Sequence, residues 1–419
     1  MIIDSVVVVT AIPPSSAPVR SGYGPGDVLA LFRGAREGLT RTEVAALTGM
    51  SRSTANLRLE ALLNAGLLVP AGQDARTRGR PAGQFVFNRD RGVLLACDIG
   101  ATRARAALCD LFGVVLDERD VPVDVVTGPV AVLTTVDALF RELLEGAGRD
   151  ASEVLGIGLD VPGPVDVARG VVVSPPIMTG WDRYDIPGWF ARSYDCPTVV
   201  EKDVNAMGVG EHRVNFPETA HLLMLKAGTG IGTGIIASGQ VHHGADGAAG
   251  DIGHIHITVP DVAEEPLCRC GNTGCVEAYA GGWAIVRDLR EVGRDVADVD
   301  EAVALIRSGD LPAVRIARRA ARILGEAIAD AVSMLNPRVI VVAGQLARTD
   351  QILFAGIREL VYRRSLPLAT RNLEVVRSEL DPRAGVTGMA LLLADRIFAP
   401  HRVDQLVHAA PGESGSTSG

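Results

Sequence analysis

Two glycine-rich hairpins about 130 residues apart limit what this chain can fold into. One is Asp98-Ile99-Gly100-Ala101-Thr102, entered from the apolar stretch 93–97. The other is Gly228-Thr229-Gly230-Ile231-Gly232-Thr233-Gly234, entered from 221–227. Each reads as a strand that turns straight back into a second strand, and each opens a region where apolar strands alternate with helices. Such alternation argues for α/β layers, and two such openings argue for two related lobes rather than one Rossmann sheet. Beside Asp98, the small residues Gly100, Thr102, Gly228, Thr229, Gly230 and Gly232 let backbone N–H groups approach phosphate oxygens. A tight turn explains the same glycines about as well. Neither segment fits G-x-x-x-x-G-K-[ST], which excludes a P-loop.

The length of 419 residues suggests about three domains. With 47% hydrophobic and 22% charged residues there is material for real cores. No run of about 18 apolar residues exists, so no membrane span or membrane partner is expected. The start has a valine run but neither a basic leader nor a cleavage site, and 1–22 reads as a disordered segment. Six cysteines, three of them close together, fit metal binding in a reducing, cytoplasmic compartment better than a disulfide scaffold. The net charge of −9 is uneven: residues 23–91 carry +4 and 92–419 carry −13. A basic head on an acidic body suggests that the head alone meets a polyanion.

Within that head, the spacing of Val28, Leu29, Leu31 and Phe32 predicts an amphipathic helix over 25–35. Thr40 caps a second helix, with Glu43 completing a capping box and Val44, Ala45 and Leu47 facing inward. After Gly49, Ser51 caps a third helix that runs to Asn64. Two short helices joined by a tight turn form a helix-turn-helix candidate, and strand-like segments at 67–69 and 84–87 flank an Arg/Gly/Pro loop as in a β-wing. Ala55, Leu59 and Leu62 form the third helix's inward stripe. That leaves Ser51, Arg52, Ser53, Thr54, Asn56 and Arg58 for solvent or a major groove, where Arg and Asn read guanine and adenine edges. In the wing, Arg76, Arg78, Gly79 and Arg80 suit a narrow minor groove. A solvated helix face and a flexible linker are the plain alternatives; taken jointly, the two segments favour double-stranded DNA.

His254, Cys268, Cys270 and Cys275 read H-x13-C-x-C-x4-C, with Gly271 and Gly274 allowing tight turns. Three thiolates and one imidazole satisfy tetrahedral Zn²⁺ without an open position, so the site is expected to be structural. Further along the first half, Glu201-Lys202-Asp203-Val204-Asn205 follows an apolar strand. An acid at a strand end is placed as a general base toward a hydroxyl in an interlobe cleft. Capping of the next helix explains it equally well.

In order, DIGATR, GLDVPGPVD, EKDVNAMGVGE, GTGIGTGI, GAAGDIGH with CRCGNTGCVEAYA, NPRVIVVAG and AGVTGMALLLAD resemble the ROK family of repressors, uncharacterised frames and sugar kinases. The resemblance covers about 25–400. It implies a winged helix-turn-helix over 23–91 and a two-lobed α/β body of actin/hexokinase-like (ribonuclease H-like) fold. Lobe 1 spans 92–208 and is completed by a helix at 385–400; lobe 2 spans 209–384 with the zinc site; 401–419 is a tail. In the family's kinases, sugar and ATP bind between the lobes. Asp203 stands where those kinases keep their general base, and His254 and Glu277 match sugar-contacting positions. Other positions depart. Ile177 and Lys202 replace asparagines, Asp251 shortens a glutamate, Ala101 fills a glycine position, and AGQLA (343–347) replaces a glycine-rich adenosine turn. A site built to hydrogen-bond hydroxyls loses strongly when a polar partner is removed. Lys202 beside Asp203 is expected to lower that carboxylate's pKa and weaken it as a base.

The expected protein is therefore a non-enzymatic DNA-binding transcriptional regulator, a repressor. Its body forms a homodimer or homotetramer and senses a sugar-type effector through Lys202, Asp203, Asp251, His254 and Glu277. Its heads meet a pseudo-palindromic operator. The cation of Lys202 points to an anionic effector, a sugar phosphate or acidic sugar. One alternative is an ATP-dependent hexose or amino-sugar kinase with an appended head. Another is a regulator that has lost its effector and answers to a partner protein.

Overall fold

The head is set by local signals. α1 (Pro25–Gly34) starts with proline, whose missing N–H costs nothing there, and buries Val28, Leu29 and Phe32. β1 (Leu39–Thr40) leads into α2 (Arg41–Thr48). The Glu43 N–H donates to Thr40 Oγ1 (3.2 Å), and the Thr40 N–H donates to the Glu43 carboxylate (2.7 Å). Gly49, at φ 68°, ends α2 in the left-handed conformation that glycine adopts freely. In α3 (Arg52–Asn64) the Ser51 hydroxyl accepts the Thr54 N–H, and Ala55, Leu59 and Leu62 are buried. β2 (Leu68–Pro70) and β3 (Gln84–Phe87) complete a sheet of order β1-β3-β2. Leu47 is not inward: it is 59% exposed, because α2 is a two-turn helix whose one fully buried position is taken by Val44.

The computed structural model describes residues 23–35, 38–71, 83–260 and 264–409. The segment 1–22, the wing residues Arg76, Arg78, Gly79 and Arg80, and the last ten residues lie outside the described residues.

Lobe 1 contains β4 (Val93–Ile99), β5 (Arg103–Cys109), β6 (Val115–Pro122), α4 (Pro129–Gly146) and β7 (Val154–Val161). A small hairpin follows, β8 (Val165–Asp166) and β9 (Val171–Val172), then α5 (Ile186–Phe190) and β10 (Thr198–Lys202). Its sheet runs β10-β7-β4-β5-β6, antiparallel from β4 to β6 and parallel from β4 to β10. α6 (Asp203–Asn215) then crosses to lobe 2, which opens with β11 (Leu222–Ala227), β12 (Ile231–Ala237) and β13 (Gln240–Val241). The helices α7 (Val276–Ala280), α8 (Gly282–Glu291), α9 (Val299–Arg307) and α10 (Leu311–Leu335) precede β14 (Val339–Ala343). α11 (Gln351–Arg364), α12 (Pro367–Thr370) and β15 (Glu374–Arg377) close the lobe. The second sheet, β13-β12-β11-β14-β15, repeats the first strand for strand in order and direction. Two related lobes are thus present, each opened by one of the glycine hairpins.

α13 (Ala384–Ile397) returns to cover lobe 1: Met389 and Leu393 lie over Gly158 of β7, where a Cβ would come within 3.0 Å of the Met389 side chain and push it aside. α6 instead packs Val204 and Met207 on the lobe 2 strands. The two helices cross where glycines permit it. A Cβ on Gly388 would overlap the Ala206 carbonyl oxygen, and one on Gly210 would meet that of Ala384.

Residues 400–409 are not a tail. They form α14 (Pro400–Ala409), which packs on α1: Val403 is buried, and the Asp404 carboxylate accepts the Gly26 N–H at 2.9 Å. Val28, Leu29 and Phe32 of the head share one core with Met389, Leu393 and Phe398 of the body.

Candidate functional site

The head's reading surface begins at the start of α3. The Ser51 hydroxyl lies 2.9 Å from those of both Ser53 and Thr54, beside the free N–H groups of the helix N-terminus, a natural place for phosphate oxygens. Arg52 and Ser53 are exposed. Asn56 is engaged: its amide oxygen accepts from Arg41 (3.3 Å), whose guanidinium also donates to Glu60 (2.7 Å) and lies over the Phe85 ring. Arg58 flanks the buried stripe and is half-buried, its Nε without a partner, so it does not project freely as its type suggests. The outward line of α3 instead includes Leu57, 64% exposed.

Between the lobes lies a cleft of roughly 590 Å³. It gathers Asp98, Gly100, Thr102, Lys202, Asp203, Thr229, Gly230, Gly232, Asp251, His254 and Glu277, with Ala101 and Ile177. Gly228 stands behind this lining. Its carbonyl and that of Thr229 accept the N–H groups of Gly282 and Trp283 at the start of α8, and Gly230 leaves room for the Glu277 carboxylate. These loop glycines are therefore spent on packing within lobe 2. Glu277 is fixed by the Ile231 N–H (2.9 Å) and the Trp283 indole N–H (3.2 Å).

Three consecutive residues at the end of β10 and the start of α6 each pair with lobe 2. Glu201 binds His243 Nε2 at 2.7 Å, Lys202 binds Asp251, and Asp203 binds Lys226. The ammonium paired with Asp203 is therefore that of Lys226, and Lys202 is matched by Asp251 instead. Lys202, on which the expectation of an anionic effector rested, is thus not an unpaired cation, while Arg269 over the Trp283 ring is another cation in the cleft lining. Asp203 Oδ1 also accepts the Val204 N–H (2.6 Å), so the acid serves the first turn of α6 as well as the cleft. The hydrogen bond to Glu201 holds the His243 imidazole above its ordinary pKa, against the loss of hydration.

His254 belongs to two places, the cleft and a cluster with Cys268, Cys270 and Cys275. The four donor atoms all lie within 4.8 Å of one another. Cys270 and Cys275 sulfurs are 3.7 Å apart, and the Cys268 sulfur is 3.7 Å from His254 Nδ1. A tetrahedron with Zn–S bonds of about 2.3 Å has edges of about 3.8 Å, so the donor set fits that ion.

Residues 94–396 match the ROK family. The chain belongs to the ROK family. Residues 26–72 match the IclR helix-turn-helix domain, so this ROK body carries a DNA-binding type of head. Among curated ROK relatives, the xylose repressor of Caldicellulosiruptor bescii is 25% identical over 377 residues, covering 86% of this chain and 93% of the relative. The glucokinase of Thermotoga maritima is 29% identical over 321 residues, covering 73% of this chain and 98% of the kinase. Among solved structures, a ROK family transcriptional regulator superposes with a TM-score of 0.75 at 24% identity, covering 91% of this chain and 98% of that one. A ROK family glucokinase from Streptomyces griseus gives 0.62 at 28% identity, covering 72% and 99%.

Lys226, His243 and Asp160 were not singled out by sequence reasoning. One signal was available: Lys202 and Lys226 are the only lysines in the chain, and both stand in the cleft.

Proposed function

We propose that this chain is a sequence-specific DNA-binding repressor whose ROK body holds a sugar-type effector between its lobes. The observation that carries this reading is the head, a winged helix-turn-helix sharing a core with the body. The likeness to the xylose repressor runs through it, whereas the glucokinase is nearly used up by the body alone. Asp203, Asp251 and Glu277 offer carboxylate acceptors to hydroxyls, and His254 adds an imidazole whose position depends on the cysteine cluster. Lys202 and Lys226 are both paired, so neither lysine by itself selects a phosphorylated sugar over a neutral polyol.

Two copies of such a chain present two α3 helices to a pseudo-palindromic operator, and a homodimer in the cytoplasm is the assembly this implies. The test is recovery of genomic fragments bound by purified protein at a fixed salt concentration, since phosphate contacts make affinity salt-dependent. A recurrent inverted repeat, released by one class of sugar, is expected. Sequence-blind binding that a sugar does not alter would overturn the reading.

His254, Cys268, Cys270 and Cys275 are assigned a structural Zn²⁺, which would tie the 254–275 segment together and fix the His254 ring. About one equivalent per chain is expected, and stripping it should lower both melting temperature and sugar affinity.

The competing reading is a sugar kinase, favoured by Asp203 standing in a cleft like that of the glucokinase relatives. Against it, the carboxylate that would act as base already holds the Lys226 ammonium. Hexose-dependent ATP turnover abolished by Asp203→Asn would restore the kinase reading.

A further inference from the structure

Apart from histidine, every cationic side chain in the protein other than Lys202 and Lys226 is an arginine. Lys226 is the last residue but one of the first strand of lobe 2, close to the hairpin turn, and its ammonium pairs with Asp203. Around that pair, adjacent parallel strands of lobe 1 end in acids: Asp98 on β4, its register neighbour Asp160 on β7, and Asp203 directly after β10. Asp160 is fully buried, and among the described residues its carboxyl meets only the facing carboxyl of Asp98 and takes no N–H or hydroxyl donor. Lost hydration holds its pKa well above the usual carboxylate range, reinforced by Asp98 and Asp203 and opposed by Lys226. For Lys226, burial favours the neutral amine, but Asp203, Asp98 and Asp160 outweigh it and keep the group an ammonium.

Carboxylates converging from neighbouring strand ends are the oxygen ligands that hard divalent cations take, usually together with substrate phosphates. We propose that Lys226 is the permanent cation of this cluster, tethered from lobe 2 where a divalent cation would have to sit, so that the strand ends hold no metal ion and the cleft does not take a metal–polyphosphate through one. The choice of residue fits. Lysine presents a compact point charge with three rotatable donors, whereas arginine presents a flat fork that suits a bidentate partner. At the strand ends a polyphosphate would meet Asp98 and Asp203 with no bridging metal, although Arg269 and Arg348 stand elsewhere in the cleft lining. A neutral hydroxyl can exchange hydrogen bonds with Asp203 and leave the charge balance untouched. This inference concerns the cleft alone and stands whether or not the head binds DNA.

The test uses Mn²⁺ as the probe on full-length protein, reading binding by electron paramagnetic resonance and stability by melting temperature. Wild type is expected to show no saturable cleft site and no Mn²⁺-dependent shift. Lys226→Met should melt lower, bind one Mn²⁺ per chain at least tenfold more tightly than wild type, and recover stability as Mn²⁺ is added. Adding Asp98→Asn to that variant should remove both the binding and the recovery. A purely structural lysine would give the lower melting temperature without the recovery. A folded Lys226→Met that gains no Mn²⁺ overturns the proposal. Should that variant not fold, wild type against Asp98→Asn decides: identical Mn²⁺ titrations support the proposal, and a site lost in Asp98→Asn overturns it.

Discussion

The seam between head and lobe 1 and the seam between the two lobes are made of different materials. The first is aromatic and apolar at its centre, with ion pairs such as Arg33–Asp395 and Arg89–Asp110 at its rim. Phe87 meets Phe112 and Phe398 edge-on, both at 5.1 Å, and the guanidinium groups of Arg33 and Arg89 cover Phe398 and Phe112. The second is a line of ion pairs, Glu201–His243, Lys202–Asp251 and Asp203–Lys226, above a helix crossing thinned to glycine. Close-packed apolar surfaces cannot slide without opening voids. Ion pairs lining a cleft can trade partners with a polar ligand. A ligand shifts a conformational equilibrium only through contacts that differ between the states, and here those contacts are concentrated between the lobes. The head is therefore expected to travel with lobe 1 as one body.

The sharpest way to break this contrast is Phe87→Ala. Removing a buried aromatic at the first seam should cost about 3–5 kcal/mol, seen as a lower denaturant midpoint in which head and lobe 1 unfold together. A head that melts as a separate unit would show that the seam is not rigid. Next in size, Gly388→Ala forces a methyl group against the Ala206 carbonyl and should cost about 1–3 kcal/mol. Its distinctive effect falls on the lobes: sugar affinity measured by calorimetry should change while affinity for a fixed half-site does not. Smaller again is Asp395→Asn, which loosens the ties from α13 to Arg33 of the head (3.2 Å) and to Arg213 (2.9 Å). Asp395 is 42% exposed, so about 0.5–1 kcal/mol is expected, fading as salt is raised.

The smallest effect belongs to His243. Its pKa is raised in the folded protein by Glu201, so its contribution is complete below the ordinary imidazole pKa of about 6.5. That contribution is lost as pH rises through the raised value. The melting-temperature gap between wild type and His243→Gln should accordingly narrow as pH climbs. A gap that widens would break the assignment.

What could be read from the sequence was what is local. Thr40 and Glu43, Ser51 and Thr54, and Gly49 carry their partners within three residues or act alone, and each cap formed. The two glycine hairpins marked the lobe openings because a tight turn needs only its own residues. Pairings across the fold were not legible. Nothing near Asp203 announces Lys226, 23 residues on, and the adjacent Lys202 offered a nearer and wrong partner. Asp160 lies within the GLDVPGPVD motif with nothing local to mark it, and only the register of β4 against β7 sets it beside Asp98. α14 was missed because its few apolar residues, Val403, Leu406 and Val407, make sense only once α1 is laid against them.

The clasp between α1 and α14 also sets a timetable. Gly26 and Asp404 are 378 residues apart, so that many further residues must be added after α1 before its closing helix exists. At about 5–20 residues per second that wait is roughly 20–75 s. Throughout it, the face of α1 that α14 will cover has no partner of its own, so a growing chain carries an unfinished reading head. A chain cut short before α14 is therefore expected to leave a head that folds poorly and, on the proposed function, holds DNA weakly.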